Sequence, residues 1–300
     1  MSTLIRLTLL SMLLATAIGA EAKDNARKPR KTVDQYEGYR LVWHDEFDKK
    51  GTPSSCWDYE QGFVRNKEAQ WYQPDNARVK GGALVIEGRR ETVQNTRYDS
   101  LSNDWRRNRP EAHYTSSCLT TRKSFTFRYG RVEVRAKIPA VVGAWPAIWL
   151  LGNMYPWPEN GEIDIMEYYI RDGEPSILAN ACWAAEKPTE AAWNTGRTPY
   201  THFTDLDPEW AEKYHLWRMD WDESFIRIYL DGELLNEIDL SLTRNKGGRH
   251  TGFNPFSNQL EGFGCYLLLN LAMGSSGGDV DDSLLPLSYC VDYVRVYQKD

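Results

Sequence analysis

The chain has 300 residues, 41% hydrophobic and 26% charged, a balance that suits a folded globular protein and excludes disordered, collagen-like and coiled-coil chains. Its 42 acidic and 36 basic side chains leave a formal net charge of −6, which does not attract a phosphate backbone and argues against nucleic acid as a partner. Aromatic residues reach 13%, with 12 Trp and 17 Tyr. Such rings serve either as core or as platforms for ligands with apolar C–H faces, sugar rings among them.

The elements follow in chain order. Arg6, the apolar run Leu7–Leu14 and the small residues Ala15, Ala17, Gly19, Ala20 and Ala22 form a secretory signal pattern over 1–22, with cleavage expected after Ala20 or Ala22. The run is too short to span a bilayer, so a secreted or periplasmic protein without a membrane span is expected. Residues 23–38 are polar and locally basic and read as a flexible leader. From there to residue 300 no linker, charge block or repeat interrupts the chain, so 39–300 reads as a single domain, expected to act as a monomer. Cys56, Cys118, Cys182, Cys265 and Cys290 are scattered without metal-ligand spacing, and their odd number leaves at least one unpaired within the chain.

The domain reads as β. Arg131–Ile138 alternates charged and apolar residues between Gly130 and Pro139, which predicts a strand with one buried and one wet face. Pro208–His215 is the best helical candidate and is short. Phe225–Leu230, the Asp231-Gly232 turn and Glu233–Leu235 predict a tight hairpin. Tyr266–Met273 is apolar almost throughout, as a strand covered on both faces should be, and Val291–Tyr297 closes the chain as another strand. Many short strands joined by Gly- and Pro-containing loops predict an all-β fold, a two-sheet jelly-roll sandwich.

The chemistry is concentrated in Trp157-Pro158-Glu159-Asn160-Gly161-Glu162-Ile163-Asp164-Ile165-Met166-Glu167. On a strand Glu162 and Asp164 share one face, while Ile163 and Ile165 take the other. Glu167 is out of register, and one extra residue at Ile165-Met166, a β-bulge, returns it to the face of the other two acids. Three crowded carboxyls cannot all ionise freely, so their pKa values must separate, and glycoside hydrolysis needs such a pair: one ionised nucleophile and one protonated acid. A solvent-facing acidic strand or a calcium site is the plainer alternative. The flanking isoleucines, the Trp-Pro loop and the break in alternation favour catalysis.

This segment resembles the E-I-D-I-x-E signature of glycoside hydrolase family 16 in its bulged form. The resemblance extends through Leu41–Phe47, Asn66–Tyr72, Gly143–Leu150 and Val291–Tyr297, over about residues 40–298 in order. It implies a concave substrate cleft on the sandwich and retaining, endo-acting hydrolysis of β-linked polysaccharides, with no cofactor in the chemistry. By position it implies Glu162 as nucleophile, Glu167 as general acid/base and Asp164 as the residue that tunes Glu162. It also implies sugar contacts from Trp145, Trp157 and Asn66, and a structural Ca²⁺ near Glu46 and Asp292. Cys182 stands where laminarinases of the family usually carry a sugar-binding His, with Trp183 beside it as a further candidate contact. The simplest expected substrate is a β-1,3- or mixed-linkage glucan. The Cys182 departure keeps open an endo-β-galactosidase acting on poly-N-acetyllactosamine, O-glycans or other galactose-containing chains, and a transglycosylase or a non-catalytic carbohydrate-binding protein fits the same fold.

Overall fold

The computed structural model describes residues 34–187 and 189–300, so the signal segment and most of the leader lie outside the described residues. Among the described residues the strands begin with β1 (Tyr39–Asp45), β2 (Asp58–Tyr59), β3 (Gln70–Tyr72), β4 (Ala77–Lys80), β5 (Ala83–Gln94) and β6 (Glu111–Ser116). They continue with β7 (Cys118–Thr120), β8 (Gly130–Lys137), β9 (Ala144–Gly152), β10 (Glu162–Arg171), β11 (Glu174–Ala184) and β12 (Ala191–Pro199). The chain ends through β13 (His215–Trp221), β14 (Phe225–Leu230), β15 (Glu233–Asp239), β16 (Cys265–Met273) and β17 (Leu287–Lys299).

These strands form two stacked sheets, the jelly-roll sandwich the sequence pattern predicts. One runs β15-β14-β13-β8-β17-β5-β6-β3, with β1 added on β17 and β4 on β5; the other runs β12-β11-β10-β9-β16-β7-β2. Alternation explains the interior: Val132 and Val134 of β8 and Val294 and Val296 of β17 meet Ile163 and Ile165 of β10 and Leu267, Leu269 and Leu271 of β16 in one core. A smaller cluster of Tyr72, Cys118, Ala147, Trp149, Tyr266 and Leu268 covers the outer face of the second sheet, which is why β16 is buried along its whole length. The Asp231-Gly232 turn has both residues at positive φ (48° and 91°), matching the right-handed twist of the hairpin it joins.

Two details differ from the pattern reading. Glu133, on the face of β8 expected to be wet, is fully buried, because the segment before β1 lies over it and the Tyr36 hydroxyl donates to its carboxylate. Helix at Pro208–His215 shrinks to one 3-10 turn, Trp210–Glu212, since His215 already begins β13 and too few residues remain to nucleate a helix. Cys56, Cys118, Cys182 and Cys265 form no disulfide, in keeping with their scattered spacing.

Arg295 occupies the same covered face. Its guanidinium makes a two-pronged bridge to Glu46 (2.9 and 3.0 Å) and sits over the Tyr293 ring, leaving only 1% of the residue exposed. Breaking a buried pair strands the remaining charge. Arg295→Met should therefore lower stability by about 3–5 kcal/mol in urea unfolding; a loss below about 1 kcal/mol would show that Glu46 is effectively hydrated.

Candidate active site

β10 supplies the acids, and the expected bulge is present. Glu162 pairs with Cys182 and Asp164 with Asn180 across to β11, and the register then slips by one residue so that Glu167 pairs with Leu178. Ile163, Ile165 and Met166 are all fully buried in the core, and Glu162, Asp164 and Glu167 line one cleft on the opposite face. Gly161 makes the entry to β10 possible. Its φ is +76°, and a Cβ there would come within 2.6 Å of Pro255.

Each outer glutamate receives an indole N–H. Trp157 Nε1 donates to Glu162 Oε2 at 2.8 Å, and Trp145 Nε1 donates to Glu167 Oε1 at 2.9 Å. Asn180 Nδ2 completes the Glu167 shell by donating to Oε2 at 3.0 Å. The loop carrying Trp157 is fastened from below: the buried Glu159 accepts from the His250 backbone N–H (2.6 Å) and lies 2.8 Å from its Nδ1, and Asn160 Nδ2 donates to the Gly152 carbonyl. Underneath, Trp149 Nε1 donates to Asn270, whose amide donates to the Tyr72 hydroxyl.

Burial and crowding separate the three carboxyls. Glu167 is pushed up to about 7, first by burial and then by the neighbouring Glu162 charge, against the lowering effect of its two donors. Asp164 is pushed well above the ordinary carboxyl range by burial and by the charges on both sides of it. Burial also raises Glu162, but the Trp157 N–H, the Arg65 charge and a hydrogen bond from Asp164 all favour its ionised form. The balance leaves Glu162 as the anion, Asp164 as a proton donor to it, and Glu167 protonated up to about neutral pH.

The cleft has a volume of about 700 Å³, and Trp145, Trp157 and Asn66 line it with the acids. Trp183 does not. Period-two alternation turns it away from its neighbour Cys182 and into the sandwich core, so the sequence expectation of a sugar contact is corrected. Cys182 stays beside Glu162 but is buried, and burial with the adjacent carboxylates holds its thiol far above the ordinary range, neutral and inert. Trp193 is the aromatic that sequence reasoning missed. It stands opposite Cys182 on β12, is 47% exposed and lines the cleft. Stepping by two along the strand from Cys182 reaches Asn180, opposite Asp164, and would have identified it as a site residue as well.

Glu46 and Asp292 do not fit a calcium shell. Glu46 faces Arg295, Asp292 accepts from Arg135 at 2.8 Å, and no group of three or more His, Cys, Asp or Glu among the described residues is placed to hold an ion that takes 6–8 oxygens.

A half-buried pair of glutamates in unequal electrostatic environments, set among cleft tryptophans on a jelly roll, defines the class: an endo-acting glycoside hydrolase. The family model for glycosyl hydrolases family 16 matches residues 80–257, and the chain belongs to that family. It is 31% identical to a beta-glucanase of Rhodothermus marinus over 96% of this chain and 93% of that one. It spans only 34% and 38% of two longer relatives. An endo-acting O-glycanase structure from the human gut microbiota is 33% identical and superposes with a TM-score of 0.76 over 91% of this chain and 94% of that one. The non-specific endo-beta-1,3(4)-glucanase SCLam is also 33% identical, with a TM-score of 0.68 over 90% and 95%.

The Trp145 hydrogen bond stabilises the Glu167 carboxylate, so removing it raises the pKa. Trp145→Phe should move the alkaline limb of the kcat/KM profile upward from about 7, because Glu167 then stays protonated to higher pH. An unmoved limb would detach that limb from Glu167.

Proposed function

We propose that this chain hydrolyses internal β-glycosidic bonds with net retention. Glu162 attacks the anomeric carbon while Glu167 gives its proton to the departing glycosidic oxygen. A glycosyl ester to Glu162 forms as the C–O bond to the leaving sugar breaks. Glu167, now ionised, takes a proton from water, and the water oxygen displaces Glu162 from the anomeric carbon. Asp164 holds Glu162 in place by a hydrogen bond and supplies its own proton to neither step. The observation that carries this reading is the unequal environment of the two glutamates: burial raises both, but the Trp157 donor, Arg65 and Asp164 favour the Glu162 anion, while the Glu162 charge adds to burial in pushing Glu167 up to about 7. The chemistry needs two carboxyls and a water, with no metal in any step.

The substrate this site supports best is a galactose-containing glycan chain. Two observations favour it over a β-glucan. Cys182, opposite Glu162, stands where the resemblance leads to a sugar-binding histidine. At equal sequence identity, the O-glycanase structure superposes better than the glucanase. The glucan reading keeps its own support in the near full-length similarity to a beta-glucanase. No helix among the described residues is long and apolar enough to cross a membrane. The N-terminal signal pattern supports export, and we take the monomer as the working unit.

A product profile discriminates the substrates. Offered laminarin, mixed-linkage glucan, keratan and mucin O-glycans, with Glu162→Gln as the inactive control, the protein should release oligosaccharides from the galactose-containing chains. Release from the glucans alone would overturn that choice. The acid/base role has a separate check. Glu167→Ala should be slow on an aryl β-glycoside with a good leaving group and recover at least about tenfold with azide, giving the β-glycosyl azide. An α-azide would move the role away from Glu167.

A further inference from the structure

The cleft has one charged rim that the reaction does not use. Segments 60–68 and 95–110 hold six basic and four acidic side chains in a chain whose net charge is −6. Three of the cations are cancelled: Arg65 pairs with Glu60, Arg106 with Asp104 and Arg107 with Asp99. Lys67, Arg97 and Arg109 have no carboxylate within ion-pair distance among the described residues, and the buried Glu68 is already occupied by Asn66 and Gln70.

What holds these guanidinium groups is neutral. Arg109 donates to the carbonyls of Lys67 and Glu68 and packs against the Phe63 and Trp105 rings. Arg97 donates to the Phe63 carbonyl. Carbonyls and ring faces fix an arginine without neutralising it, so the positive charge remains at the surface. The backbone that anchors them, Phe63 to Glu68, is the segment that brings Arg65, Asn66 and Glu68 to the cleft, and Arg106 lines the same end. Asn66 and Lys67 both adopt positive φ (55° and 53°), turning the exposed Lys67 out beside the cleft residue Asn66.

We propose that this rim is a subsite for an anionic substituent on the glycan, a sulfate ester or a sugar carboxylate, with Lys67, Arg97 and Arg109 as its field. A neutral chain gains nothing from uncancelled cations. An anionic group on a sugar bound at the Asn66 end meets donors that need no rearrangement. The inference deepens the substrate reading above, and it predicts selectivity for charge whatever the backbone sugar is.

The test uses the full-length mature protein carrying Glu162→Gln and measures affinity by calorimetry for chains that differ only in charge. The pairs are keratan oligosaccharides with and without sulfate, O-glycans with and without sialic acid, and laminarin with and without chemical sulfation. The charged member of at least one pair should bind about tenfold tighter. That ratio should shrink toward one between about 0.05 and 0.5 M salt. Lys67→Gln with Arg97→Gln should bring it down at low salt, whereas Lys67→Arg retains it. A preference for sulfate alone or sialic acid alone identifies the source of the anion. Equal or weaker binding of the charged member in every pair overturns the rim proposal, including where the neutral galactose chains bind and the substrate reading stands. Binding of the laminarin pair alone, with the charged member preferred, keeps the rim and overturns the galactose reading.

Discussion

The structure is organised around the cost of holding three carboxyl groups on one face of one strand. A strictly alternating β10 would place Glu167 among the isoleucines, and an unbulged strand could present only two acids to the cleft. The bulge resolves this by sending Ile165 and Met166 together into the core, so that a single irregularity is anchored by two fully buried side chains. Once the acids are gathered, burial forbids three charges. The protons that remain on Asp164 and Glu167 are a consequence of packing before they are a feature of catalysis.

That constraint explains the parts that touch no substrate. An ionised Glu162 is tolerable only if donors are fixed around it, and Trp157 is the main one although nearly half of its surface is exposed. An exposed ring on a free loop would lose that geometry. Here the loop is tied down by the Glu159–His250 contact, by Asn245 donating to the Glu159 carbonyl and by Asn160 donating to Gly152. The Tyr155 ring stacks on His250 at 3.5 Å and holds the other end of the same clasp. Rigid donors of this kind stabilise a charge without reorganising as the reaction proceeds.

How much of this was legible in the sequence depended on whether the signal was local. The acid motif, its bulge, the hairpin turn and the doubly buried β16 are all written in runs of a few residues, through alternation and its interruptions. Trp183 and Trp193 show the limit. A motif places an aromatic next to Cys182, but only the strand phase decides that Trp183 points into the core, and only the pairing of β11 with β12 brings Trp193, eleven residues further on, to the cleft. Glu133 fails for the same reason: its burial comes from Tyr36, 97 residues earlier in the chain. Glu46 and Asp292 matched a metal pattern by position, and arginines brought in from other strands gave the two acids different partners.

The protonation of the centre also bears on what the cleft admits. With Glu167 protonated up to about 7 and Asp164 pushed well above the ordinary carboxyl range, the catalytic row carries one negative charge rather than three, and Arg65 stands close enough to favour that charge. A substituent bearing a negative charge is therefore opposed at the centre by little more than a single, partly compensated carboxylate. At the Asn66 end it meets cations held by carbonyls and rings. Screening confines each field to about 8–10 Å at ordinary ionic strength, so the two ends of the cleft act on different sugars of one chain. The arrangement favours a substrate whose cleaved linkage lies between uncharged rings and whose charge sits further along, and the same proton that Glu167 must donate is what keeps the centre from repelling it.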